Sequence, residues 1–411
     1  MSAQCAPSLA SVRARIVALK RSQRFVPWRY SSELADDLRE LLGAMKRVVE
    51  DPRQGAELMA AFYETDRNIF DHCDDSSGYV GDVYRFDAQE LFVRFGKACE
   101  DKEWLVHRVF GLIAADDYGV RDALLEAAPR YLPKAQIRGL VARMREADAA
   151  LPEDKRGYKW RVDIEILARA MKDGALFAEA RLSYPGPLHS STCVDIAGVY
   201  FSAGQAETAL EWLEKTPLGD HTRDRERDEL LFKVYAALGA RESQESVAWR
   251  IFRRDRNLST LEQLLALAGQ SAREKIVHGE VSVILADTRF DCADAQFLVD
   301  AGRGAEAEDY LMARAGLIDG EHYYGLLPLS ESMLGAGHPL AATVVYRALL
   351  DSILKRARSK IYGHAASYLR NLERISGKIM EWKGLPDHPA YLASLQSKHA
   401  RKSAFWSRCA G

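Results

Sequence analysis

One spacing recurs along this chain: a large apolar residue, a glycine four positions later, an alanine five after that, and another large residue four further on. It stands at Tyr200, Gly204, Ala209 and Leu213, at Leu298, Gly302, Ala307 and Leu311, and at Met333, Gly337, Ala342 and Tyr346. Two looser copies lie between. Tyr235 and Gly239 precede Ala248 and Phe252 after a longer loop, and Leu265 and Gly269 are followed by Glu274 in the alanine place. The five glycines are therefore 35, 30, 33 and 35 residues apart. Such a frame describes a helical hairpin. The large residue closes the first helix and the glycine supplies a left-handed cap. The alanine sits where the second backbone comes close, and the residue four beyond it shares its face. One hairpin cannot bury its own apolar side, so hairpins of this kind must stack.

The period resembles that of tetratricopeptide repeats, about 34 residues, although the opening W-x-x-L-G part of that pattern is missing. Before residue 190 the chain is also helical by pattern. Ser31 or Ser32 is expected to cap "ELADDLRELLGAMKRVVE", whose Leu34, Leu38, Leu41, Leu42 and Met45 form one apolar face. Asp51-Pro52 ends that helix and starts the next, with proline at its usual first-turn place. No segment keeps a period of two between turn signals, so no sheet is expected. The fold class is all-α: a right-handed α-solenoid of stacked antiparallel hairpins. "LPEDKRGYK" (151–159) and "YPGPLHSST" (184–192) are the strongest punctuation. They divide the chain into an N-terminal helical region (1–150), a bend with a connecting helix (151–190), the hairpin repeats (191–357) and a basic helical cap (358–411).

Composition narrows the setting. No apolar run approaches the roughly 20 residues of a membrane span. The six cysteines, at 5, 73, 99, 193, 292 and 409, include no CxxC pair, which fits a reducing cytoplasm and neither a zinc ribbon nor a disulfide framework. The net charge of −2 hides an asymmetry: residues 1–30 carry +6 and residues 355–411 carry +9, leaving −17 for the middle. The Arg-rich, acid-free start is similar to an organellar transit peptide, but "VRARIVALKRSQRFVPWRY" runs straight into a patterned helix and reads as the first helix of the fold. It has no apolar segment of the kind a secretory signal needs.

"SQRFVPWRYSSELADDL", "DHCDDSSGYVGDVYR" and the C-terminal "RARSKIYGHAASYLRNLERI…HPAYLASLQSKHARKSAFW" together resemble an uncharacterised bacterial family of helical-repeat proteins, a domain of unknown function. Its repeats are similar to the helical tail downstream of SWIM zinc fingers; the finger itself (C-x-C…C-x-H) is absent. The resemblance implies the fold and carries no activity.

Three stretches hold residues that bear on function. "IFDHCDDSSGYVGDVYRFD" (69–87) is the place for a metal or catalytic site, through Asp71, His72, Asp74 and Asp75. An EF-hand fails there, because Gly78 as its sixth position puts Cys73 first and Tyr84 twelfth. The stretch is better explained as a turn, with Asp74, Asp75 and Ser76 bonding backbone, Gly78 and Gly81 releasing it, and Asp87 capping "AQELFVRF". No nucleophile elbow, phosphate loop or HExxH occurs, and no cofactor is expected. In the basic C-terminus, Lys355, Arg356, Arg358, Lys360, Arg370, Arg401 and Lys402 are read on a helical stretch, where they would either contact phosphates of a nucleic acid or form the solvated face of a capping helix. Within the repeats, Trp212, Arg250 and Tyr310 line or flank the groove of a solenoid that takes a peptide or helix from a protein partner. A protein-interaction scaffold without catalysis is the leading reading, ahead of nucleic-acid binding and of a metal-dependent enzyme at 71–82.

Overall fold

The computed structural model describes residues 8–153, 156–183 and 186–409. Cys5 and parts of both expected breaks (154–155 and 184–185) lie outside these residues. The chain is all-α, with successive helices packed as hairpins. Among the described residues there is no strand, only an isolated bridge between Val26 and Cys73. Two compact units follow one another, one up to Leu230 and one from Leu231, the division falling within helix Asp224–Leu238.

The first unit begins with helix Leu9–Arg21, closed at its start by a reciprocal Ser8–Ser11 capping box. Helix Ser31–Val48 buries Leu38, Leu41, Leu42 and Met45 as the sequence periodicity requires. Its cap differs from the expectation. Tyr30 is the N-cap residue and Ser31 already lies in the helix, its hydroxyl donating to the Trp28 carbonyl at 2.7 Å, because a short turn at Trp28–Tyr30 leads directly into the helix. Asp51 does cap helix Pro52–Tyr63, accepting from the Gln54 amide at 3.0 Å. The core here is aromatic: Phe62, Tyr63, Tyr84 and Phe92 are fully buried, with Phe62 and Tyr84 stacked at 5.0 Å. Asp66 and Arg121 are buried among them as a bidentate pair, Nε to Oδ2 at 2.7 Å and Nη2 to Oδ1 at 2.6 Å. The rest of the guanidinium is taken by the carbonyls of Leu112 and Tyr63. A buried pair is tolerable only when its remaining donors are satisfied in this way.

The repeating frame is realised as hairpins. Gly204, Gly239, Gly302 and Gly337 have φ between 68° and 83°, each just after a first helix. The framed alanines Ala209, Ala307 and Ala342 are fully buried, as are Leu213, Leu298, Leu311 and Met333. Each large residue so buried contributes about 1.5–3 kcal/mol relative to exposure. The looser copy at Gly269 departs from expectation. An extra turn, Gln270–Ala272, delays the second helix to Arg273. Glu274 therefore lies in the first turn, exposed and paired with Arg303 at 2.6 Å, and Val277 takes the buried place.

The sequence frame also missed a copy. Helices Lys159–Ala170 and Gly174–Leu182 form a hairpin whose bend residue is Lys172, at φ 53°. Counted from Lys172, the large place holds Ala168 and the alanine place holds Phe177, both fully buried. Size is exchanged across the hairpin, so its volume is kept while its pattern is hidden.

In the second unit the hairpins run from helix Arg241–Arg254 to helix Pro339–Lys355, the latter burying residues all around its circumference. Helices Tyr362–Ser376, His388–His399 and Ser403–Cys409 close this unit, and Phe405 is fully buried against Tyr362 with ring centres 5.9 Å apart.

Candidate functional site

The acidic stretch at 69–87 is fastened to its surroundings residue by residue. Asp71 accepts from the Tyr118 hydroxyl at 2.5 Å, and His72 Nδ1 lies 2.9 Å from the Asn68 carbonyl. Asp74 accepts from the Ser76 amide at 3.1 Å, and Asp75 from the amides of Val80 and Gly81 at 3.0 and 2.8 Å. The backbone is stitched to the preceding segment, Val26 donating to the His72 carbonyl at 2.8 Å and accepting from the Asp74 amide at 2.9 Å. No group of three or more His, Cys, Asp or Glu among the described residues is arranged to hold a metal. Asp87 is not the expected cap. It lies inside a π-helical turn, Val83–Ala88, that runs into helix Gln89–Ala98, so the backbone there needs no cap and the carboxylate pairs with Arg39 at 2.9 Å.

The three groove candidates separate. Tyr310 is 1% exposed and its hydroxyl accepts from the Asp291 amide at 2.8 Å, which makes it a core residue rather than a groove residue. Trp212 is half-buried on the cluster formed by Ala168, Phe177, Ile196 and Val199, with the Lys215 ammonium 4.1 Å above its ring. Arg250 is exposed beside Trp249 in a depression of about 510 Å³ on helix Arg241–Arg254.

The basic residues near the C-terminus do not share one helix. Helix Pro339–Lys355 stops at Lys355, and Arg356, Arg358 and Lys360 occupy a corner before helix Tyr362–Ser376. Ala357, at φ 53°, turns the chain there. Arg356 and Arg358 both pair with Glu321, and Arg370 donates to the Arg408 carbonyl at 3.2 Å. Lys360 and Arg401 are exposed and Lys402 is half-buried.

Lys355 and Arg356 also border a cavity of about 780 Å³ between helix Pro339–Lys355, helix His388–His399 and the turn 315–320. Gly320 lets that turn approach the helix: a Cβ there would stand 2.2 Å from the Ala348 carbonyl oxygen. Arg347 lines the cavity while only 8% exposed. Its Nη2 donates to the Pro386 carbonyl at 2.8 Å and its guanidinium lies 4.3 Å from the Tyr391 ring centre, but its buried Nε has no partner. Burial lowers the pKa of this guanidinium. Asp351, one helical turn on, is reached by solvent from the cavity and accepts from the Tyr391 hydroxyl at 2.7 Å; the protein packed around it pushes its carboxyl up. Lys398 and His399 complete the rim, and burial holds the imidazole below its usual value. Sequence reasoning missed Arg347 and Asp351 because each is a single charge among the mostly apolar residues of helix Pro339–Lys355.

These features define a helical-repeat protein with a cationic cavity in its second unit. The chain belongs to the family of unknown function DUF6880, whose profile matches residues 2–185 and 167–408. No curated protein matches it. Among solved structures, it is similar to the Naa15/Naa10 complex bound to HypK-THB, at 12% identity and TM-score 0.39, with 98% of this chain and 67% of that one covered. It is also similar to a circular tandem repeat protein with novel repeat topology, at 12% identity and TM-score 0.20, covering 97% and 92%. Among the described residues no helix is long and apolar enough to cross a membrane.

Proposed function

We propose that this chain is a cytoplasmic scaffold that binds a segment of a protein partner and has no catalysis of its own. The observation that carries the reading is the hairpin frame. Its glycine, alanine and large residues are used up in packing hairpins together, which leaves the outward helix faces for recognition. The face of helix Arg241–Arg254 is the part best suited to this, because Trp249 and Arg250 stand side by side between Glu242 and Arg253. Tryptophan and arginine are the residue types that most often anchor protein interfaces. Repeats at 191–357 would then present the partner-binding surface and 358–411 would cap it.

The test is a pull-down from lysate at low and high salt, with and without nuclease, using the wild-type chain and a Trp249→Ala, Arg250→Glu variant. The expected result is one retained protein that survives salt and nuclease and is lost with the variant. Retention that is abolished by nuclease would transfer the role to the basic C-terminal region. Equal retention by both forms would refute the assigned face.

A further inference from the structure

The geometry points to a ligand site in the second unit: the cavity around Arg347 takes the phosphate group of a small phosphorylated organic molecule. A buried guanidinium normally meets a carboxylate or fills its donors with oxygens, since an unpaired buried donor is costly. Arg347 does neither completely. Its Nε is buried without an acceptor, its Nη2 is held by backbone carbonyls, and it forms no ion pair among the described residues. The planar fork of arginine matches phosphate oxygens better than any other side chain does.

Charge around the cavity sets the ligand's charge. Arg356 and Arg358 share Glu321, and Arg356 also faces Asp319 at 3.7 Å, so these two guanidiniums and two carboxylates cancel. That leaves Arg347, Lys355 and Lys398 against Asp351, a surplus of two positive charges before His399 is counted, whose imidazolium form burial disfavours. A phosphate monoester carries close to two negative charges above its second pKa of about 6, whereas a carboxylate carries one. Ser352 and Ser394 add hydroxyls at the wall, and Val344, Leu385, Pro386 and Leu395 give an apolar surface for the organic part. A volume of about 780 Å³ lies within the range of small-molecule sites. The site is independent of the partner face proposed above, since none of its residues lies on helix Arg241–Arg254.

The experiment is calorimetric titration of the full chain with phenyl phosphate, inorganic phosphate and benzoate, in low-salt buffer above the phosphate second pKa. Saturable binding of phenyl phosphate is expected, with inorganic phosphate and benzoate each weaker by about tenfold or more, a difference of about 1.4 kcal/mol. Arg347→Met should abolish binding. Because Arg347 is buried, a second variant, Lys355→Ala with Lys398→Ala, changes only exposed rim residues and should weaken phenyl phosphate by about tenfold with an unchanged circular dichroism spectrum. Three results would each overturn the proposal: no saturable binding at millimolar phenyl phosphate, benzoate binding as tightly as phenyl phosphate, or unaltered affinity in the rim variant. Inorganic phosphate binding as tightly as phenyl phosphate would overturn the organic half of the assignment.

Discussion

Asp163 offers the sharpest test of how this fold handles charge. It lies on helix Lys159–Ala170, is 5% exposed, and its Oδ2 has no hydrogen-bond partner. Burial, followed by the charges of Asp122 and Asp116 and opposed by Lys159, pushes its carboxyl up to about 7 from an ordinary value of 3.8. The folded chain therefore keeps this proton over a range in which the unfolded chain has lost it. Stability from this group is fully present below about pH 4 and falls as pH rises toward 7, by about 1.4 kcal/mol per unit, to a total on the order of 4 kcal/mol. Relaxation and water entry reduce that figure, so about 2 kcal/mol is the working expectation. Asp163→Asn has nearly the same shape and cannot ionise. At pH 8 it should raise the melting temperature of the first unit by about 4–8 °C, and at pH 4 by almost nothing. Thermal unfolding of both forms followed by tryptophan fluorescence across that range reads the difference directly. An Asn variant that is equally displaced at both pH values, or less stable at pH 8, would show that Asp163 does not carry an unpaired charge in the folded state.

Other consequences are as direct. Asp66→Ala strands the Arg121 guanidinium in the core and should cost about 3–5 kcal/mol in urea unfolding, whereas pairing it with Arg121→Met should recover part of the loss. Lys172→Gly removes a side chain from a left-handed bend and should stabilise by up to about 1 kcal/mol, read as a rise in melting temperature. Gly320→Ala drives a methyl group into the Ala348 carbonyl and should cost about 1–3 kcal/mol while closing the cavity to phenyl phosphate.

The hairpin frame was legible because its glycine and alanine answer to backbone geometry that few other residues satisfy, so type and position are bound together. The hairpin at 159–182 was not, since Lys172 accepts the left-handed bend and Ala168 with Phe177 exchange sizes without changing the space filled. The acidic stretch could be read as a turn from its Asp and Ser content. Its attachment to Val26 depends on pairing across a long separation that no local pattern records. The Asp66–Arg121 pair and the Arg347 cavity share this property: each joins residues far apart in the chain, and isolated charges within apolar helices give no periodic signal. Tyr310 was misplaced because an aromatic at a helical surface position and one in the core look alike until the neighbouring hairpin is known.

Two glycines that begin second helices have one more implication. A Cβ on Gly174 would stand 2.5 Å from the Tyr200 ring, and one on Gly304 would stand 2.4 Å from the His338 imidazole. In each case a ring from the following hairpin rests where a side chain would begin. The spacing from one hairpin to the next is thus gauged by an atom that is not there. Lengthening or shortening the array by cutting at these joints would succeed only if each glycine travelled with the ring that covers it, so the natural module for engineering runs from one second helix to the next bend.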